Sequence, residues 1–564
     1  MFLKKTKSKA FWQDVKTNPK YQAWIESLLE QYEKYKETEI SEISFDAFMQ
    51  FHRTGKRVAF EAAFDPRRRR LSISALLALI FPEKEEYLAD LQNTIWAICG
   101  EYCWALPNHT PDSAFRYNDD HIDICAAIIG SELSEICYLL EDRLEAVVQE
   151  RIHKEIDKRI IRSYMANAFE WETKTNNWSA VCAGNVAITF MYERPELYPV
   201  IKPRIDASIA CFLSGFKADG ACREGIGYWE YGFGNFVSYA QHLYEFTDGK
   251  ENLFQNKLVK NVAAFPNVAY LENGVIVSFA DCDKTACATK GVIGILRKHY
   301  GKSYLNLPEN GLSEGKGIFS KAILTFEFFE PEQEEIQAAH EQEYFLPDSQ
   351  IFVKKYPAYS FAAKGGDNME PHNHNDVGSF IISSGGRQLL ADIGRGEYTR
   401  DYFEHTKDKR YQILCTRSGG HSVPIVNGTE QAYGIQYHGS MQYEAGRLVL
   451  ELAKAYPVEE LISLERSFIF AEDRVCLKDS FTLDNPCMIQ ERFVSFVCPE
   501  VRSGCVKLGD LYMYYDDSAW EVSVSEAVHT TTALVKEQVY LMNFIPRNPD
   551  TVLFEVEMVM KKGD

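Results

Sequence analysis

The chain has 564 residues, too many for one ordinary core, so two or more domains are expected. Apolar residues make up 46% and charged residues 25%, the proportions of a globular protein, which excludes global disorder. A net charge of −20 excludes an overall basic footprint, so no nucleic-acid partner is expected. No apolar run is long enough to span a bilayer, so no membrane partner is expected either. The 14 cysteines are scattered without a CxxC pair, which fits neither a zinc ribbon nor a small disulfide framework. The opening MFLKKTKSKAFWQDVK has lysines but no following apolar stretch, so no signal peptide is read. A cytoplasmic protein is expected from the chain as written, and a periplasmic or secreted one if a signal was removed.

In chain order, the first marked feature is DPRRRR at Asp65–Arg70, which reads as a solvated basic face or, alternatively, an anion patch. Apolar periodicity then predicts helices at Ser72–Ile80, Glu86–Tyr102 and Asp119–Ile129. Across Glu132–Met165, residues Ile136, Leu139, Leu140, Leu144, Val147, Val148 and Ile152 fall at the spacing of one helix face. Further helices are expected at Ser179–Phe190, Tyr198–Phe216 and Phe233–Phe246. Many antiparallel helix pairs in succession predict an α/α array or toroid, here assigned to residues 1–335.

Two motifs stand out in this half. Asn176, Asn177 and Trp178 lie just before an apolar helix, where asparagine favours the N-cap. The stretch KADGACREGIGYWEYGFGNF surrounds Tyr228, Trp229 and Tyr231 with glycines. Such a loop either lets a ligand approach the backbone or plugs the core with its aromatics.

After Pro331 the pattern changes. The acidic EPEQEEIQAAHEQEYFLPDSQ reads as a linker or short helix. Segments such as QIFVKKY, YSFAAKG, RLVLELAKAY, IQERFVSFV and TVLFEVEMVM then alternate with period two. Strands without intervening helices predict an antiparallel β-sandwich over residues 336–564. GSFIISSGGRQLLADIG reads as a hairpin turning at Gly385–Gly386, which returns Asp392 toward the end where MEPHNHNDVG begins.

His372 and His374 form the only HxH in the chain, and His421 follows in RSGGHSVPIVNG. Two histidines and an aspartate with a water in the fourth position suit Zn²⁺. On an extended segment, residues i and i+2 share a side, so spacing leaves two options open: both histidines ligate, or one ligates while the other faces a substrate.

In order and spacing, NNW, DGACREGIGYW and the series HNHNDVGSF, LLADIG and GGHSVPIVNG resemble the heparinase II/III-like polysaccharide lyases over most of the chain. The resemblance implies an N-terminal (α/α) toroid followed by a C-terminal antiparallel β-sandwich. It implies cleavage of uronic-acid glycosaminoglycans (hyaluronan, chondroitin sulfate, heparan sulfate or heparin) by β-elimination to 4,5-unsaturated products. Tyr228 would be the acid, and in some substrate geometries also the base. His372 would be the opposing base or a carboxylate neutraliser, and Asn177 a carboxylate neutraliser. His374, Asp392 and His421 would hold a divalent metal, Zn²⁺, whose role is mainly structural. Trp104, His109, Trp178, Arg223, Glu224 and Arg417 are candidate substrate contacts, with ordinary structural pairing as the alternative for each. The sequence departs from the pattern at Trp178, where some relatives have histidine, and at Ser422, where relatives often have asparagine. The implied partner is an acidic polysaccharide or oligosaccharide, and homo-oligomerisation is left open. An alginate or oligouronide lyase, an α/α-toroid glycoside hydrolase and a non-catalytic glycan-binding protein remain alternative readings.

Overall fold

The computed structural model describes residues 2–110, 120–284, 288–305, 307, 312–315, 317–330 and 341–561. Helices fill the N-terminal half and antiparallel strands the C-terminal half, an α/α toroid followed by a β-sandwich. The expected boundary at 335/336 lies outside the described residues, as does part of the acidic stretch. The described cysteines are all free thiols. Among the described residues, no helix is long and apolar enough to cross a membrane.

The helical half follows the apolar periodicity with two differences. The pattern over Glu132–Met165 does not form one helix. Ile124–Leu140 ends, the chain turns, and Ala146–Ile156 begins again. The break carries no Gly or Pro. Arg143 fixes it from outside, because its guanidinium donates to the carbonyls of Ala78 and Pro82 on a neighbouring helix and its C-terminal turn. The DPRRRR run is a solvated face only in part, with Asp65 and Arg69 exposed. It lies inside the Val58–Ile80 helix, where Arg67 and Arg68 pair with Glu101 and Arg70 pairs with Asp90. Arg67 and Arg70 are buried, so these are internal struts between the Val58–Ile80 and Glu85–Cys99 hairpin elements.

The strands form three sheets. Gln342–Leu346, Ile351–Lys355, Ser360–Lys364, Phe380–Ser384 and Arg387–Leu390 make a five-stranded sheet, joined by nine-stranded and four-stranded sheets. The five-stranded sheet is the layer between the two halves. Ile351, Val353, Ala362 and Ile381 pack into the helical core. The alternate residues Phe352, Phe361, Phe380 and Ile382 pack into the sandwich core. A strand buried on both faces reads as a continuous apolar run, and each buried Val, Ile or Phe side chain contributes about 1.5–3 kcal/mol. The hairpin turns at Gly385 and Gly386, whose φ values of +60° and +80° favour glycine. It therefore returns Leu390–Asp392 along the end of the helical half.

Candidate active site

The site is built where the segment at 276–284 of the helical half meets the segment at 388–395. Contact is close on both sides of Cys282. A Cβ on Gly225 (φ +89°) would lie 2.9 Å from Cys282 Cβ, and one on Gly394 (φ +70°) would lie 2.5 Å from the Cys282 carbonyl oxygen. Both positions therefore require glycine. Ser278 donates to the Asp392 carbonyl, and Arg395 N–H to that of Cys282.

This approach delivers Asp281, a residue that nothing in the sequence pattern singled out. Its carboxylate is fully buried and bridges two histidines of the opposite half. Oδ2 lies 2.8 Å from His372 Nδ1, and Oδ1 lies 3.0 Å from His374 Nε2. The Tyr402 hydroxyl also donates to it, and Arg410 Nη2 lies 3.4 Å away. Burial alone would push the Asp281 carboxyl up, but the two histidine hydrogen bonds and the Arg410 charge outweigh it and hold the group well below the usual range. An ionised carboxylate only accepts, so His372 carries its proton on Nδ1 and His374 on Nε2. His374 Nδ1 is thus left with a lone pair, and so is Nε2 of the neutral His372 ring. Burial pushes the His372 pKa down, but Asp281 and Glu224 outweigh it and hold it above its ordinary value, which strengthens the ring as a base. His372 sits at φ +56°, an uncommon conformation for a non-glycine residue and one found at functional positions.

His372, Asn177 and Tyr228 line one cleft of about 810 Å³, together with His109, Trp178, Arg57, Arg395, Tyr398 and Arg400. Asn176 is the N-cap of the Asn177–Glu193 helix, its side chain accepting from Trp178 N–H. Capping is thus done by Asn176, and Asn177 is left over. Its side-chain oxygen is buried without a hydrogen-bond partner, which in a folded protein calls for an explanation such as a ligand. Tyr228 stacks on His372 with ring centres 4.1 Å apart, and its hydroxyl meets that of Tyr398 at 3.1 Å. Burial, with Tyr398 and Asp281 beside it, pushes the Tyr228 phenol well up. His109 Nδ1 lies 2.7 Å from Asp123, and its ring packs edge-on against Trp178.

The remaining expected substrate contacts stand elsewhere. Trp104 is 1% exposed and donates its indole N–H to the Ile98 carbonyl, so it is a core residue; its edge in EYCWALPNHT could not reveal which way it points. Arg223 pairs with Glu370 at 2.7 Å, a strut from the helical half to the loop that carries His372. Glu224 lies behind the cleft, with Oε2 3.4 Å from His372 Nε2. Arg417 pairs with Glu430 and does not line the cleft.

Below His372, four buried ligand-type atoms have no hydrogen-bond partner: His374 Nδ1, Asp376 Oδ2, Asp392 Oδ2 and His421 Nδ1. Ligand atoms of His374, Asp376 and His421 lie within 4.8 Å of one another. Asp392 approaches through His421, with 3.2 Å between Oδ2 and Nδ1, an ion-pair contact without hydrogen-bond geometry. Each histidine is braced on its other nitrogen, His374 by Asp281 and His421 Nε2 by the Cys415 carbonyl. Metal-binding histidines are oriented in this way. Donors about 2.0–2.1 Å from a tetrahedral Zn²⁺ stand about 3.3 Å apart, so the donor set fits such an ion after small adjustments. Asp376 was missed as a member, although it lies two residues from His374.

No protein-family model matches the chain, and no curated protein matches it. Solved structures do. The heparan sulfate lyase of Pedobacter heparinus is similar at 12% identity with a TM-score of 0.56, covering 95% of this chain and 83% of its own. A heparinase III is similar at 12% identity and a TM-score of 0.60, over 97% and 92%. The chondroitin AC lyase of Streptomyces coelicolor A3, solved with chondroitin sulphate, is similar at 10% identity and a TM-score of 0.57, over 99% and 82%. The chain therefore has the fold of the heparinase-like polysaccharide lyases, in both halves and in their order.

Proposed function

We propose that this protein is a polysaccharide lyase that cleaves uronic-acid glycosaminoglycans by β-elimination. The observation that carries the reading is the meeting of Asn177, Tyr228 and His372 on one cleft, from separate parts of the helical half and from the β half. Elimination needs a donor at the uronate carboxylate, a base at C5 and an acid at O4. The Asn177 side-chain amide on the cleft suits the first task through its Nδ2 donor. His372 Nε2 suits the second, since Asp281 and Glu224 flank the imidazolium that forms when it takes the C5 proton. Burial of the Tyr228 phenol keeps its proton on at neutral pH, which suits the third. On the cleft wall Arg57 pairs with Glu61 and Arg395 with Asp283, which leaves Arg400 as the guanidinium with no carboxylate partner among the described residues, and it suits an acidic chain.

Among the described residues, the carboxyls on the cleft argue against hydrolysis. Glu61 pairs with Arg57, Glu230 with Lys321, Asp283 with Arg395 and Glu404 with Lys409, while Asp281 is held by its histidines. A hydrolase needs two carboxyls free to act across the scissile bond.

His374, Asp376, Asp392 and His421 would hold a divalent metal, Zn²⁺ by donor chemistry. When bound it would brace the loop that presents His372 to the cleft.

Ultraviolet absorbance of the conjugated C4–C5 double bond tests the reading, with hyaluronan, chondroitin sulfates, heparan sulfate, heparin and alginate assayed separately. A rise is expected on a glycosaminoglycan, and Tyr228→Phe should lower it by about 10²–10⁴-fold with the fold intact, the range for a positioned proton donor. A variant near wild type would remove Tyr228 from the mechanism. A rise on alginate alone would move the substrate to the oligouronides. Reducing ends without absorbance would move the reaction to hydrolysis, and binding without either would leave a glycan-binding protein.

A further inference from the structure

Tyr398 has no part in the elimination as described, yet its hydroxyl is the partner of the proposed acid. It lies six residues beyond Asp392, on the irregular segment that follows LLADIG. Its hydroxyl meets that of Tyr228 at 3.1 Å, and either oxygen can donate. Two guanidiniums flank its ring: Arg395 Cζ lies 5.5 Å and Arg57 Cζ 5.8 Å from the ring centre. Tyr398 also belongs to two cavities. It lines the cleft, and it lines a second cavity of about 310 Å³ with Lys56, Arg57, Glu61, Arg69 and Glu397. It is thus a wall between the reacting groups and a separate, ionisable, solvent-connected space.

We infer that Tyr398 is a proton relay that reloads Tyr228 from the second cavity; the inference rests on the elimination reading above. As the C4–O4 bond breaks, O4 keeps the bonding pair and takes the Tyr228 proton. The C5 proton goes to His372 Nε2. The Tyr228 oxygen takes the proton of Tyr398, and the Tyr398 phenolate takes one from a water or carboxyl of the second cavity. Burial and the Asp281 charge oppose that phenolate and keep it transient, while the Arg395 charge favours it. The order also fixes the hydrogen-bond direction: Tyr398 donates to Tyr228, which leaves the Tyr228 proton free to point into the cleft. Tyr228 needs this route because its other neighbour, the His372 ring, is stacked face to face with it and offers no in-plane partner.

Tyr398→Phe removes one hydroxyl and tests the relay. On the polymer that gives an absorbance rise with wild type, kcat should fall by about 10²-fold, the low end for a positioned proton donor, with KM unchanged and near-ultraviolet circular dichroism unchanged. In mixtures of light and heavy water, the wild-type rate should follow a curved line, because more than one proton moves. The variant's rate should follow a straight one. An unchanged kcat, a raised KM with kcat intact (a substrate contact instead), or the same curvature in both proteins would overturn the relay while leaving the elimination standing. No absorbance rise from wild type on any uronate polymer would overturn both.

Discussion

Two charged clusters are buried in the β half, and they are finished differently. Around Arg466 every donor is used. Nε and Nη2 bind Asp479, Nη1 donates to the carbonyls of Gly378 and Ser422, and Nη2 lies 3.3 Å from Glu491. Burial and the adjacent Asp479 push the Glu491 carboxyl well up, so it keeps its proton and adds no second buried charge. Around His374 the opposite holds: both histidines and both aspartates turn an unclaimed atom toward one another. Buried polar groups are expensive to leave unpaired. The Arg466 cluster leaves a single atom over, Glu491 Oε1, whereas the open one leaves four that gather together, a donor set suited to an ion. The two are also joined, because Gly378 and Ser422 flank the segments that carry Asp376 and His421. Arg466 thus fixes the spacing of the open cluster from behind.

The comparison can be broken from either side. Arg466→Met should have the largest effect, about 3–5 kcal/mol of stability, since it strands the buried Asp479. Thermal melts in chelator should show this loss free of any contribution from an ion. His374→Ala should be next. Wild type saturated at about 100 times the metal Kd gains about 2.7 kcal/mol from the ion, and the variant should lose that gain together with its bound metal. Metal analysis of the purified proteins checks it, and an unchanged metal content in the variant would empty the open cluster of meaning. Arg417→Ala should do least. Its pair with Glu430 is 40% exposed on the arginine side and contributes about 0–1 kcal/mol, with no change in KM.

Much of the candidate site could be read from the sequence, because its parts sit in short local motifs. Asn177, Tyr228, His372, His374, Asp392 and His421 each belong to a dense cluster of polar or glycine residues. The helices and most strands were legible from their periods for the same local reason. The strands Gly434–Glu444 and Trp520–Thr530 were not, since their exposed faces carry polar residues that blur the alternation. Asp281 and Tyr398 escaped because their meaning is tertiary. Asp281 sits in SFADCDK, where no spacing points to a histidine far along the chain, and only the close approach at Gly225 and Gly394 makes it their partner. Trp104 failed in the other direction: an aromatic in a polar stretch does not declare whether it faces a cleft or the core.

The central claim is that the glycosidic bond breaks without water. Digestion in ¹⁸O-enriched water followed by mass spectrometry of the fragments tests it most directly. Elimination predicts a new non-reducing end lighter by one water than the hydrolytic product, and no ¹⁸O gained in bond cleavage. Fragments heavier by one water, carrying one ¹⁸O per bond broken, would contradict the account and transfer the cleft to hydrolytic chemistry.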